Sequence, residues 1–229
     1  MNSFNRLVIK YYFQIITYLV FFAASLFIPS GTLNWTMGWI YLAINALSMV
    51  LNSMILIFRN PELFRERANW KGKRNWDRAL AGLMTFFGPI SIYIVAGFNH
   101  RYGWLPQIPF VLQMIGVIIT ILGCLLAAWA IYSNKFFYGF LKIAEEEGHS
   151  VCTSGAYKIV RHPSYLSGIL IELATPLVLN STWAFIPAVL TAFAILMRTK
   201  LEDDALKCNL KEYQSYTLKV RYRLFPFVW

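Results

Sequence analysis

Four long apolar runs without a charged residue constrain this 229-residue chain more than any other feature. They occupy residues 11–28, 37–58, 80–98 and 108–132. Each is close to the length of about 20 residues that a helix needs to cross the hydrocarbon core of a bilayer. A soluble chain with 58% hydrophobic and only 14% charged residues would expose far more apolar surface than monomers tolerate. We therefore predict an all-α fold, a polytopic membrane helical bundle.

Two shorter charge-poor stretches follow the four runs. They cover residues 165–179 and 183–197 and flank the polar turn Asn180-Ser181-Thr182. Each has about 15 residues, which form roughly 22 Å of helix. The sequence thus predicts four full spans plus a short helical hairpin, within a single membrane domain over residues 1–229.

The distribution of basic residues predicts the orientation. If the spans alternate, the N-terminus and residues 59–79, 133–164 and 198–229 lie on one side and hold every one of the 21 Lys and Arg residues except Arg101. By the positive-inside rule that side is cytoplasmic. We expect both termini there, in an inner membrane or the endoplasmic reticulum. The first run lacks a small-x-small cleavage site, so we interpret it as a retained helix and not as a signal peptide.

Several classes of function are disfavoured. The basic residues are spread over several loops without a recognition motif, which indicates contact with membrane lipids and no nucleic acid. No Cys or His pair has metal-ligand spacing, so we expect no metal site. Ionisable residues are absent from the middle of every firm span, which argues against a transporter, and Glu172 in the hairpin is the exception. No obligate protein partner is evident.

The most specific local pattern is Gly155-Ala156-Tyr157-Lys158-Ile159-Val160-Arg161-His162-Pro163-Ser164-Tyr165. Proline disfavours helical geometry in the residue before it and suits the first turn of a helix. The pattern therefore predicts that Arg161 and His162 project at a helix N-terminus, where an anion can bind. A basic anchor at the membrane interface is the alternative interpretation.

A second polar cluster follows the last apolar stretch. Arg198 and Glu202 are four residues apart, so a continuing helix places them on one face. They form either a functional pair or an ordinary interfacial ion pair. Beyond them, apolar residues recur at steps of three and four, which predicts an amphipathic C-terminal helix on the cytoplasmic side. These residues are Leu206, Leu210, Tyr213, Thr217, Val220 and Leu224.

The two clusters together resemble a known family. The residues concerned occur in the order His149-Ser150-Val151-Cys152-Thr153-Ser154-Gly155-Ala156-Tyr157, Arg161-His162-Pro163-Ser164-Tyr165, Arg198, Glu202-Asp203, Tyr213, Tyr216, Arg221 and Pro226. This order closely resembles the isoprenylcysteine carboxyl methyltransferase family of integral membrane enzymes, which is related to the phospholipid methyltransferases. The resemblance covers residues 134–229. The chain has Ala156 where relatives often have proline, and Ala144 near a position where they often have glutamine.

The resemblance implies methyl transfer from S-adenosyl-L-methionine to a lipophilic, membrane-delivered acceptor, foremost a carboxylate as in isoprenylcysteine O-methylation. It implies that Arg198 binds the acceptor and that Arg198 and Glu202 form the catalytic pair. The implied cofactor contacts are His149, Ser150, Val151, Cys152, Tyr157, His162, Pro163, Ser164, Tyr165 and Glu202.

Other activities stay open from the sequence. A phospholipid amine or a thiol acceptor would need a base, and Glu202 or Asp203 is the nearest candidate. Membrane sterol reductases carry a related Arg-His-Pro element, and a non-catalytic membrane protein is a further alternative.

Overall fold

A computed structural model of the chain describes residues 3–68, 75–135 and 151–229. The described part contains nine α-helices. Their bounds are α1 Ser3–Ser30, α2 Thr36–Arg59, α3 Pro61–Ala68, α4 Asn75–Gly82, α5 Gly88–Tyr102, α6 Phe110–Ser133, α7 Pro163–Val178, α8 Phe185–Asn209 and α9 Lys211–Lys219. One π-helical turn, Leu83–Phe87, joins α4 to α5, and one 3-10 turn, Gly155–Lys158, precedes α7.

Four helices are long and apolar enough to cross a membrane, which confirms the four predicted spans. They are Phe4–Ser30, Thr36–Arg59, Ala79–Tyr102 and Phe110–Ser133. Their outward faces carry large exposed apolar side chains, such as Phe13 on α1, Leu47 on α2 and Val111 on α6. An apolar exterior of this kind is solvated by lipid tails, so the chain is a multi-pass integral membrane protein.

The third span is not a uniform helix. It is assembled from the end of α4, the π-helical turn and α5. At the junction, a Cβ atom on Gly88 would lie 2.4 Å from Thr191 Oγ1 on α8, so the two helices can approach this closely only because Gly88 has no side chain. The π-helical turn and α4 consequently lie beside the part of α8 that leads into the candidate site.

α6 and α7 pack through small residues. A Cβ atom on Gly116 would lie 2.7 Å from Leu177 Cβ and 3.0 Å from the Val178 backbone nitrogen, and one on Gly123 would lie 2.8 Å from Ile171. Small residues allow close backbone approach between helices in a membrane, where no hydrophobic force drives association. This contact fixes α7, and with it the start of the candidate site, against the fourth span.

Gly116→Ala is expected to destabilise the protein by about 1–3 kcal/mol, because the added methyl group meets the backbone of α7 and not a mobile side-chain end. Gly82→Ala is the matched control, since a Cβ atom there meets no atom within 4 Å. Thermal unfolding in detergent compares the two variants. Equal midpoints would show that α6 and α7 do not need this close approach.

α7 and α8 cover the two apolar stretches for which a short hairpin was predicted, and the turn between them is anchored to the loop between α5 and α6. Asn180 adopts a positive φ of 53°. Its Oδ1 accepts a hydrogen bond from the Ile108 backbone N–H at 2.7 Å, and its Nδ2 donates to Gln107 Oε1 at 2.8 Å. α7 is a shorter apolar helix than the four spans, whereas α8 continues to Asn209 and carries residues 198–204 beyond the predicted arm.

The expected C-terminal amphipathic helix is divided in the structure. α8 ends at Asn209, α9 begins at Lys211, and residues 220–229 continue without an α-helix. The predicted apolar stripe nevertheless faces the protein, because its six members are buried or half-buried. Leu210, Tyr213, Tyr216 and Val220 pack together beside Tyr157, which brings the C-terminal segment to the start of α7.

Candidate active site at the start of α7

The Arg161-His162-Pro163 element has the predicted backbone. His162 is non-helical, with φ −126° and ψ 62°, and α7 begins at Pro163. The backbone N–H groups of Arg161 and His162 donate to the carbonyl oxygens of Tyr222 and Arg223, both at 2.9 Å. The C-terminal segment therefore holds this element in place through main-chain hydrogen bonds.

Arg161 differs from the expectation that it projects to meet an anion. Its side chain is buried, with Nε at 2.8 Å and Nη2 at 3.1 Å from the two carboxylate oxygens of Asp203. Its Nη1 donates to the carbonyl oxygens of Val220 and Arg221 at 2.9 and 2.8 Å. These contacts make Arg161 an internal clamp between α8 and the C-terminal segment, and they contradict the alternative of an exposed interface anchor.

Asp203 is the centre of an ionic cluster. Besides Arg161, its carboxylate accepts contacts from Arg223 Nε at 2.8 Å, Lys207 Nζ at 2.9 Å and the Tyr213 hydroxyl at 2.8 Å, and it is fully buried. Burial opposes ionisation of Asp203, but the hydrogen bonds from His162, Arg161, Arg223 and Lys207 outweigh it and hold the pKa of this carboxyl well below its usual range. Burial, followed by the charge of Asp203, raises the pKa of Tyr213 far above its ordinary value. Asp203 is thus a structural carboxylate that is ionised at neutral pH, and it is a poor general base.

His162 lies between two carboxylates. Its Nε2 is 3.3 Å from Asp203 Oδ1 and 3.2 Å from the Tyr213 hydroxyl, and its Nδ1 is 3.9 Å from Glu202 Oε1. The imidazole stacks on the Tyr165 ring with the ring centroids 5.7 Å apart. These neighbours fix the plane of the histidine ring, so the ring connects the buried ionic cluster with Glu202.

Glu202 is the more accessible of the two adjacent acids. Its side chain is 20% exposed, whereas that of Asp203 is fully buried. Its Oε2 accepts a short hydrogen bond from the Tyr165 hydroxyl. Glu202 therefore keeps acceptor capacity for a polar ligand, with its orientation set by Tyr165.

Arg198 forms an ion pair with a residue that the sequence did not suggest. Its Nε and Nη2 lie 3.1 and 2.8 Å from Asp77 Oδ1 on α4, and its Nη1 is 4.0 Å from Met84 Sδ in the π-helical turn. The guanidinium carbon lies 5.5 Å from the centroid of the Tyr165 ring. Asp77 belongs to the basic segment of residues 59–79, yet it is only 4% exposed. A buried ion pair across two helices replaces the simple surface pair that the spacing of Arg198 and Glu202 suggested.

The remaining predicted cofactor residues fall into three groups. Val151 and Cys152 pack against the cluster that contains Tyr157, Tyr213 and Tyr216. The Tyr216 hydroxyl donates to the Tyr157 carbonyl oxygen at 2.6 Å. Pro163 is buried and Ser164 is half-buried, in the first turn of α7. The predicted contacts His149 and Ser150, together with the Ala144 departure, lie outside the described residues.

Gly155 explains how this loop reaches its position. The residue has a φ of 57°, and a Cβ atom there would lie 2.0 Å from Ser133 Oγ at the end of α6. Glycine is therefore required for both conformation and space. It lets the 3-10 turn pack against α6 and place Tyr157 beside the C-terminal tyrosines.

Within residues 151–229, the structure brings predicted residues such as Tyr157, His162 and Glu202 into one region through contacts that sequence reasoning missed. Tyr213 joins the aromatic cluster around Tyr157 to His162 and Asp203, while Asp77 and Arg223 supply counter-charges. Tyr213 belonged to the apolar stripe and to the family-like order of residues, but neither pattern indicated that it contacts His162 and Asp203. Asp77 gave no signal, because it is one of three acids in the basic segment of residues 59–79 and such residues are ordinarily solvated. Among the residues that the structure describes, no three His, Cys, Asp or Glu residues are grouped as metal ligands.

Comparison with known proteins finds a family that is similar to this part of the chain. A family model for isoprenylcysteine carboxyl methyltransferases matches residues 114–208. Protein-S-isoprenylcysteine O-methyltransferase B of Arabidopsis thaliana is 34% identical over 113 residues, which are 46% of this chain and 55% of that protein. Protein-S-isoprenylcysteine O-methyltransferase A of the same plant is 26% identical over 119 residues, which are 52% of this chain and 55% of that protein.

The chain spans about half the length of the curated relatives it matches. The family match begins within α6, earlier than the resemblance seen in the sequence, and it ends within α8. It includes His162, Tyr165, Arg198 and Glu202 but not Asp77. The segment that matches the family model for isoprenylcysteine carboxyl methyltransferases, residues 114–208, thus holds the centre of the candidate site.

Proposed function

We propose that the protein is a membrane methyltransferase that uses S-adenosyl-L-methionine and esterifies a carboxylate on a lipophilic acceptor of the isoprenylcysteine type. The family match and the two plant relatives support this class of reaction. The observation that carries the proposal is the placement of a buried arginine, Arg198, against Tyr165 and its hydrogen-bonded Glu202, at the ends of apolar helices.

Arg198 is the proposed acceptor-binding residue. A guanidinium recognises a carboxylate with two parallel N–H donors, and the interaction is stronger where water is excluded. Arg198 is only 3% exposed, and α8 continues from it towards the membrane through the exposed apolar residues Met197 and Phe193. A lipid-borne carboxylate would therefore meet the arginine at the apolar end of the site.

Glu202, Tyr165 and His162 are proposed to bind the cofactor. These side chains suit S-adenosyl-L-methionine. Glu202 offers a partly exposed carboxylate for hydroxyl or ammonium groups, and Tyr165 and His162 offer stacked rings at the start of α7. Val151, Cys152 and Tyr157 line the adjoining apolar cluster. His149, Ser150, Pro163 and Ser164 remain predicted contacts.

Methyl transfer to a carboxylate depends mainly on the correct positioning of the two reactants. When bound, S-adenosyl-L-methionine supplies a methyl group already activated by the sulfonium, so a carboxylate acceptor needs no strong base. The chain's own residues then align the two reactants and exclude water. A carboxylate fits this site better than an amine or a thiol, because Asp203 is committed to cations and Glu202 is hydrogen-bonded to Tyr165.

We place the site on the cytoplasmic side of the membrane, with both termini there. The proposal follows from the charge distribution, since the lysines and arginines around the site belong to the basic side of the predicted topology. Membrane lipids surround the spans, and the acceptor is delivered through them.

Incubation of purified protein with methyl-labelled cofactor tests the proposal. N-acetyl-S-farnesylcysteine is the probe, and its methyl ester is the matched control, because the ester presents the same lipid without the reacting carboxylate. We expect base-labile label in the product from the acid and none from the ester. Label that enters phospholipid amines and not the acid would overturn the carboxylate assignment.

A further inference from the structure

The ion pair between Asp77 and Arg198 joins a short helix outside the family-matched segment to the proposed acceptor-binding residue. Asp77 Oδ1 lies 3.1 Å from Arg198 Nε and 2.8 Å from Nη2. These two nitrogens form one of the two donor edges with which a guanidinium binds a carboxylate. Asp77 therefore occupies Arg198 with the same chemical group that the acceptor would present.

The third nitrogen of the guanidinium, Nη1, is contacted by a residue that lies close to Asp77 in the chain. Arg198 Nη1 lies 4.0 Å from Met84 Sδ, and Met84 belongs to the π-helical turn that directly follows α4. Both contacts thus come from one continuous stretch, residues 77–84. π-helical turns insert an extra residue into a helix and are frequent at functional sites. A small displacement of this stretch would change both contacts together.

Charge makes simultaneous binding unfavourable. The side chains of Arg198 and Asp77 are 4% and 5% exposed, so solvent screens the pair weakly. A second carboxylate at this guanidinium would lie close to the first, and like charges in a poorly solvated site repel strongly. The acceptor must either displace Asp77 or bind with a large penalty.

We propose that Asp77 is an internal anion that exchanges with the acceptor carboxylate on Arg198. This inference rests on the proposed function. Before binding, Asp77 neutralises the buried arginine. The acceptor carboxylate takes its place, and transfer of the sulfonium methyl group then converts that carboxylate into a neutral ester, with S-adenosylhomocysteine as the leaving group. An ester competes poorly for a guanidinium, so Asp77 returns to Arg198 and the product is released. Asp77 is thus an internal competitor that lowers the affinity of Arg198 for the acid.

Removal of the competing charge should strengthen acceptor binding. In Asp77→Asn, N-acetyl-S-farnesylcysteine is expected to bind about tenfold more tightly or better, because its carboxylate no longer competes with an internal one. Affinity for the methyl ester and for S-adenosylhomocysteine should stay within about twofold, as neither meets Asp77. Calorimetric titration in detergent measures all three ligands. Asp204→Asn is the matched control, because this neighbouring acid pairs with Arg223 and should leave all three affinities unchanged.

Unchanged or weaker binding of the acid by Asp77→Asn that still binds S-adenosylhomocysteine would overturn the exchange and leave Asp77 as a plain structural counter-ion. If the variant does not fold, hydrogen exchange on the wild-type protein decides instead. The acid should then increase deuterium uptake in α4, residues 75–82, and the ester should not; equal uptake with both ligands would contradict the inference. Methylation of the acid by the wild-type protein separates the two proposals, since its absence overturns the proposed function itself.

Discussion

Replacement of Arg198 by glutamine is expected to abolish most methyl transfer to N-acetyl-S-farnesylcysteine while S-adenosylhomocysteine still binds. Loss of a charge-assisted contact to a ligand in a desolvated site costs on the order of 2–5 kcal/mol in the step that uses it. An exposed helical ion pair contributes only about 0.3–0.5 kcal/mol. Single-turnover methylation and calorimetric titration of S-adenosylhomocysteine on the same preparation measure the two effects separately.

The buried position of Asp77 dictates the control for this experiment. Arg198→Gln alone removes the cation that pairs with the buried Asp77 carboxylate, which destabilises a protein in its own right. The double variant Asp77→Asn with Arg198→Gln removes both charges and is compared with Asp77→Asn alone. Glu202→Gln completes the set and should weaken S-adenosylhomocysteine binding directly, because Glu202 is the proposed cofactor ligand. Near-wild-type turnover by the double variant would exclude Arg198 as the acceptor-binding residue.

Replacement of Asp203 by asparagine is expected to destabilise the protein by about 3–5 kcal/mol, because it leaves buried cations without their counter-charge. The largest loss falls on Arg161, whose side chain is 5% exposed and receives two contacts from Asp203. Lys207 is 34% exposed and can turn towards solvent, so it contributes less. Thermal unfolding in detergent measures the change. Asp204→Asn is again the control, since Asp204 is half-exposed and makes one longer contact, at 3.4 Å, with Arg223.

Acid titration gives an independent check on Asp203. Its pKa in the folded protein is held below the ordinary value of about 3.9, so the carboxylate stabilises the fold fully above that value. The stabilisation is lost as the pH falls through the lower folded-state pKa. Wild-type stability should therefore fall more steeply than that of Asp203→Asn when the pH drops below about 4. Parallel curves for the two proteins, or a wild-type midpoint in Asp203→Asn at neutral pH, would show that the ionic cluster does not hold the site together.

The local sequence predicted the helical architecture well, because a bilayer imposes a requirement that each segment must meet by itself. A spanning helix satisfies its own backbone hydrogen bonds and needs a long apolar run, so α1, α2, α5 and α6 could be located without knowledge of their neighbours. The start of α7 was predictable for a similar reason. Pro163 restricts His162 and begins the helix, whatever surrounds them.

The break at Leu210 was not predictable in this way. Leu206, Leu210, Tyr213 and Val220 keep a helical period across it, so the pattern predicted one helix. In the structure the stripe faces the same cluster on both sides of the break, because the chain bends to cover Tyr157 and the 3-10 turn. Apolar periodicity therefore identified the buried face and missed the bend.

The sequence by itself determined that this chain is a membrane helical bundle and which polar residues gather beside its hairpin, because apolar length, proline geometry and the family pattern are local properties. The tertiary structure alone decided the charge partners. Asp77 lies 121 residues before Arg198, and their contact depends on the close packing of α5 against α8 at Gly88 and on the π-helical turn after α4. Arg161 was expected to face a ligand and is instead neutralised by Asp203. The pairing of buried charges depends on how the helices pack, and it cannot be predicted from the spacing of residues along the chain.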